Sequence, residues 1–141
     1  MKTRWTIMAV AMTLVVGAFW ASEVAAQKTK GKSRAASTKQ LMKGIVQPNC
    51  AGCGGALKTG PADDAAWETL ATQAAVLNEL SYVLMDDGRC PDGVWAGATK
   101  QLREGTAAVL EAVGKKDVEA ARAAFKTATG SCAACHKAHK T

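Results

Sequence analysis

The chain of 141 residues is poor in aromatics and in proline, with four Trp, one Tyr, two Phe and three Pro, and it holds only two His. Trp5, Phe19 and Trp20 fall within the first twenty residues, so from residue 27 onward only Trp67, Tyr82, Trp95 and Phe125 remain. So small an aromatic stock, in a length that allows one domain, argues against an elaborate multi-domain enzyme. No catalytic triad, phosphate-cradling glycine loop or carboxylate pair can be picked out. Alternation of apolar and polar residues is missing, which removes strands as a main element. Lys and Arg number 18 against 12 Asp and Glu, but no aromatics are interleaved with them, so nucleic-acid binding has no support. With 48% hydrophobic and 21% charged residues, the chain is neither disordered nor collagen-like, nor a polytopic membrane protein.

What is present begins with an address. Lys2 and Arg4 precede a mostly apolar run from Trp5 to Trp20, and Val24-Ala25-Ala26 follows with small residues. The pattern predicts a signal peptide over residues 1–26, cut before Gln27. The apolar run is shorter than the roughly 20 residues of a spanning helix, so no stable membrane insertion is expected after cleavage. Export to the periplasm would expose thiols to oxidation. Lys28, Lys30, Lys32 and Arg34 lie in a Ser/Thr/Gly/Ala/Gln stretch with no apolar period, which reads as a flexible basic tail over residues 27–36.

Four amphipathic segments follow in residues 37–141. Ser37-Thr38-Lys39-Gln40 fits a capping box and opens a first helix, with Leu41, Met42 and Ile45 on its apolar side. Pro48 and the glycines at 52, 54 and 55 are expected to kink or fray it. A second helix starts near Pro61–Asp64 and carries Trp67, Leu70, Ala74, Leu77, Leu80 and Leu84 as one stripe, ending at Asp86-Asp87-Gly88. A third begins after Pro91-Asp92, with Trp95, Ala98, Leu102, Thr106, Val109 and Val113 on one face, and stops at Gly114. Asp117 caps the fourth, whose inner face runs Val118, Ala121, Phe125, Ala128, Cys132, Cys135. Short loops between four such helices predict an all-α, antiparallel four-helix bundle. The stripes are rich in Ala, and interiors pack densely, so a buried prosthetic group would supply missing volume.

Cys132-Ala133-Ala134-Cys135-His136 supplies the chemistry. C-x-x-C-H is the attachment signature of haem c. On a helix, sulfurs at i and i+3 share a face and can add to the two vinyl groups of one porphyrin, and His136 can offer its imidazole to the iron. Competing readings are a disulfide hairpin, or half a zinc site with Cys50 and Cys53. In an up-down-up-down bundle the start of the first helix lies beside the end of the fourth. Met42 is five residues inside the Ser37 cap and His136 five before Thr141, so both stand at a similar depth. Met42 is therefore a candidate distal iron ligand, since thioether is an established axial partner of His.

These residues resemble the cytochrome c′/cytochrome c-556 family over residues 37–141: a terminal C-x-x-C-H at Cys132, Cys135 and His136, with Leu41-Met42-Lys43 on the first helix. The resemblance implies a four-helix bundle with one covalent haem near one end. Low-spin members of that family place Met at the position Met42 matches, and high-spin members leave an apolar residue there and bind NO or CO. His139 and Lys140 stand where the family has an aromatic and a basic residue, so Lys140 would lie near the proximal ligand. His139, displaced from His136 on its helix, reads as a surface residue.

Cys50-Ala51-Gly52-Cys53 is followed by Gly54, which argues against a second haem. With Cys90 it leaves three further thiols. One disulfide is expected, joining Cys50 or Cys53 to Cys90 or the two neighbours to each other. A redox-active pair is the sharper alternative, without the βαβ pattern that usually surrounds one. The functional expectation is a periplasmic electron carrier, not an enzyme, that exchanges one electron with redox partner proteins and leaves room for a homodimer. The alternative is a five-coordinate module binding NO or CO. A peroxidase-like enzyme lacks support, because the first helix has no His or Arg near Met42.

Overall fold

The computed structural model describes residues 31–140. The predicted signal peptide and the first residues of the tail, 27–30, lie outside the described residues. Within them there is no β-strand. The elements are α1 (Thr38–Leu41), a π-helical turn (Met42–Val46), α2 (Gln47–Thr59), α3 (Asp64–Met85), α4 (Gly93–Gly114) and α5 (Val118–His139).

Helix starts follow the local capping chemistry. The Ser37 hydroxyl accepts from the Gln40 amide at 3.3 Å while the Gln40 side chain accepts from the Ser37 amide at 2.8 Å, which completes the capping box. Asp63, Asp92 and Asp117 each accept from the amide three residues on, at 2.8, 2.9 and 2.9 Å, and open α3, α4 and α5. Each cap satisfies an amide that the first turn would otherwise leave unpaired.

The distortion expected near Pro48 takes the form of a π turn, not of a frayed end. The first helix neither frays nor breaks at Pro48: α1, the π turn and α2 form one rod reaching Thr59, with helical dihedrals at Leu41, Met42, Val46 and Gln47. Pro48 has no amide to donate, and in an α-helix its ring would crowd the carbonyl four residues back. The π turn before it removes the conflict. Gln47 donates instead to the Met42 carbonyl, and Asn49 Nδ2 donates to the Ile45 carbonyl at 2.8 Å. Widening the turn keeps the chain helical where an α-helical register could not continue.

Neighbouring helices run antiparallel, as contacts at both ends show. Trp95, at the start of α4, donates its indole N–H to the Leu84 carbonyl near the end of α3, at 2.8 Å. Lys116, just past α4, pairs with Asp64 at the start of α3, at 2.6 Å. Arg122 near the start of α5 donates to the Leu57 carbonyl near the end of α2, at 2.6 Å, satisfying a helix C-terminal oxygen. The first rod thus touches both α3 and α5, and four rods close into a bundle.

Two apolar clusters fill it. One, around Cys53, Leu57, Leu70, Leu77, Val109 and Ala121, sits toward the end where α2 meets α3. The other, around Leu41, Leu80, Leu84, Trp95, Leu102 and Ala128, sits at the opposite end, where Met42, Ile45, Cys90 and Cys135 pack against it half-buried. The predicted α4 stripe is buried throughout, and the α3 stripe is buried from Leu70 to Leu84. Between α3 and α4, Asn78 Nδ2 donates to the Arg103 carbonyl at 2.8 Å, and Arg103 Nε to the Ser81 hydroxyl at 3.0 Å.

Residues 32–34 do not behave as a free tail. The amides of Ser33 and Arg34 donate to the two Asp87 carboxylate oxygens at 2.9 and 3.0 Å, and Lys32 N–H donates to the Asp87 carbonyl at 3.1 Å. Desolvation works against the Asp87 charge, but these amides outweigh it and hold the carboxyl below its ordinary range. The acidic end of α3 therefore also docks the segment that leads into the first rod.

Gly105 fixes how closely α4 and α5 approach. A Cβ at this position would lie 2.7 Å from both Cα and Cβ of Ala128. Gly105→Ala is expected to lower stability, because ~1–3 kcal/mol of overpacking exceeds the few tenths to ~1 kcal/mol that Ala contributes to an exposed helix interior. Thermal unfolding checks this; an unchanged or higher midpoint would contradict the close approach.

Candidate functional site

A cavity of about 730 Å³ lies at the end of the bundle that holds the start of the first rod and the end of α5. Its size falls within the roughly 300–1,000 Å³ of small-molecule and cofactor pockets. Met42, Cys132, Cys135 and His136, singled out in the sequence, all line it. They come from two elements far apart in the chain, and the antiparallel closure of the bundle brings them to one place.

Helical spacing explains the contribution of α5. Ala128, Cys132, Cys135 and His139 follow one another by four, three and four, so they share one stripe. Ala128 is buried in the core beneath, and the two cysteines are half-buried where the stripe reaches the cavity. The first rod contributes Thr38, Met42, Val46 and Cys50, each four residues after the last. In an uninterrupted α-helix that interval would rotate Cys50 about 120° from Thr38. The π turn absorbs one residue, which leaves a rotation of only about 20°, and the four positions face one way.

His139 was expected at the surface and is not. It is 8% exposed, with Nε2 3.4 Å from Asp92 Oδ1 and its ring edge-on to Trp95, the centroids 5.4 Å apart at 73°. Its stripe spacing from Cys132 and Cys135 is the signal that could have placed it inside. Trp95, 2% exposed, forms part of the same wall, with its N–H already satisfied by Leu84. Lys39, Lys43 and Lys140 also border the cavity and give its lining a positive character.

The thiols differ sharply in environment. None of the five cysteines is bridged, so neither the pairing of Cys50 or Cys53 with Cys90 nor that of Cys50 with Cys53 is formed. Cys53 is fully buried in the apolar cluster, and burial pushes its thiol up to about 11. Cys50, three residues earlier, turns to the cavity instead. Cys132 borders the same cavity from α5. The neighbouring Cys50 holds the Cys132 thiol below its ordinary value, with further help from Ser131, and Cys132 in turn raises Cys50. Cys135 is raised to about 11 by burial, then by the charge of Cys132. Partial burial, then the Lys140 charge, lowers the His136 imidazole, which favours the neutral ring with a free nitrogen lone pair.

Among the described residues, no three His, Cys, Asp or Glu side chains converge as a group able to hold a metal ion. The zinc arrangement combining Cys50 and Cys53 with the later pair is not assembled, because Cys53 points into the core. No described helix is long and apolar enough to cross a membrane. Comparison of the chain with protein-family models, curated proteins and solved structures finds no match.

The lowering of the Cys132 thiol has a measurable consequence. In the haem-free, reduced chain at pH 7, iodoacetamide is expected to alkylate Cys132 on the order of tenfold faster than Cys53 or Cys135, because only thiolate reacts. Lowering the pH through the Cys132 titration removes this advantage. Cys50→Ala removes the neighbouring thiol and should also abolish it; equal rates in both proteins would contradict the influence of Cys50 on Cys132.

Proposed function

We propose that the chain is an exported one-electron carrier that holds a single haem c in the cavity at the end of its bundle. Cys132 and Cys135 would form the two thioether links, His136 the proximal iron bond, and Met42 the distal one. The observation that carries this reading is that all four side chains line one cavity although the chain separates Met42 from Cys132 by 90 residues. Proximity of this kind is not required by the C-x-x-C-H run itself.

The residues present suit the group. Two half-buried thiols on one stripe of α5 face a space of cofactor size. Trp95, Val46 and Met42 offer apolar surface to a macrocycle, and Lys39, Lys43 and Lys140 offer cations to its two carboxylates. His136 is biased toward the neutral form that can donate a lone pair. When bound, the haem supplies an iron that changes oxidation state by one electron. The chain's part would be to hold the iron through His136 and Met42 in either oxidation state, so that little rearrangement would accompany transfer, and a Met ligand would raise the potential. Export, covalent attachment and partner proteins in the periplasm complete this reading.

The sulfur of Met42 separates an electron carrier from a gas-binding module. The holoprotein is expected to give a low-spin absorption spectrum that added CO leaves unchanged when reduced. Met42→Leu should convert it to a high-spin form that binds CO readily. A high-spin, CO-responsive spectrum before substitution would overturn Met42 ligation and favour the five-coordinate NO- or CO-binding reading.

A further inference from the structure

Charge is not spread evenly along the chain. Residues 27–62 hold seven Lys and Arg and no Asp or Glu, whereas residues 63–141 hold nine against eleven. The fold carries the basic part to the cavity end. The Asp87 carboxylate accepts from the amides of Ser33 and Arg34, and so holds the lead-in to the first rod beside the end of α3. Lys39 and Lys43 follow on the rod and border the cavity, and Lys140 borders it from the end of α5. No Asp or Glu is among the residues that line it.

The cations differ in pairing as well as in place. Lys115, Lys116 and Arg122, at the opposite end, pair with Glu111, Asp64 and Glu119, and Lys100 pairs with Glu104. Arg34 meets Asp86 at 3.8 Å. Lys32, Lys39, Lys43 and Lys140 are exposed, and among the described residues none of the four lies within ion-pair distance of a carboxylate. Gathering like charges on one end works against the compact state unless an outside anion offsets them.

We propose that the lead-in segment, the start of the first rod and Lys140 form a docking face for a protein whose surface is rich in carboxylates, which meets this chain end-on over the cavity. Opposite fields on the two surfaces speed the encounter and orient it. An anionic membrane fits this face less well. Helices that lie on lipid add apolar side chains to their cations, and the exposed large apolar residues among those described, Tyr82, Met85 and Val94, lie outside residues 31–46. Two porphyrin carboxylates would offset part of the charge at the cavity and leave the rest of the basic segment in excess. That the docked protein exchanges electrons rests on the carrier reading proposed above; the docking itself does not.

The test uses the full chain as exported, with poly-L-glutamate as the acidic probe and phosphatidylglycerol vesicles as the lipid one. Poly-L-glutamate is expected to bind at low ionic strength and to be released as salt approaches ~0.15 M. Lys32→Gln, Lys39→Gln and Lys43→Gln combined should weaken binding on the order of tenfold. Lys58→Gln, Lys100→Gln and Lys126→Gln combined remove equal charge elsewhere and should change it less than about twofold. Carbodiimide coupling of the unaltered protein to the probe should place the new amide bonds on the lysines of residues 28–43 or on Lys140, read from the peptides after digestion. Equal weakening by the two triple variants, couplings at the lysines of the opposite end, no binding, or tighter binding to the vesicles at the same anion concentration would each overturn the proposal. Haem content is not read in this experiment, so failure of the haem reading cannot be mistaken for failure of the docking face.

Discussion

The cavity end of the molecule depends on the first helical rod passing Pro48 without breaking. A proline inside an α-helix deletes one hydrogen bond and crowds another, at a cost of roughly 3 kcal/mol or more. Here the π turn over Met42–Val46 comes before it, so the carbonyl–amide pairing has already shifted when Pro48 is reached. The same extra residue turns Cys50 back beneath Val46 and Met42. Were the rod to end at Pro48, α2 would lose its packing against α3 and α5, and Cys50 would lose its place on the cavity wall. One local adjustment of the backbone thus keeps the bundle closed and composes one wall of the cavity.

The opposite wall is set by close helix packing. Gly105 allows α4 to approach the Ala128 backbone of α5, and the stripe that begins at Ala128 continues through Cys132 and Cys135 to His139. Trp95 then closes the end of the bundle, anchored by its hydrogen bond to Leu84 and by the edge contact with His139. The C-x-x-C-H run is therefore mounted on a helix whose position is fixed by core contacts on one side. That rigidity suits the proposed role of holding a planar group in one orientation. The lysines at the border contribute by charge, and their long stems can cover apolar surface while the ammonium groups stay in water.

Much of this architecture was legible from local sequence. The caps at Ser37, Asp63, Asp92 and Asp117 are short-range devices, each complete within four residues, and the stripes of α3 and α4 follow directly from spacing. The meeting of Met42 with Cys132, Cys135 and His136 in one cavity could be argued from bundle connectivity alone. Other features could not. Whether Pro48 ends a helix or is accommodated by a π turn is settled by the packing of α2 against α3 and α5, which no local window contains. The orientation of Cys50 depends on that turn, so its place on the cavity wall was hidden. The capture of residues 32–34 by Asp87 is likewise a long-range match between a charged loop and free backbone amides. His139 is different: its spacing from Cys135 marks the inner stripe, and its displacement from His136 on the helix does not carry it to the surface.

The proposed covalent attachment of a porphyrin to Cys132 and Cys135 is tested most directly by the mass of one peptide. The chain should be produced in an exporting host with the c-type maturation apparatus and digested with trypsin after denaturation. Residues 127–137 should then carry the added mass of one haem, with both cysteines resistant to alkylation and the colour remaining on the peptide after extraction with acidified acetone. The same peptide at its unmodified mass, with both thiols alkylated and the colour extracted or never present, would contradict the account.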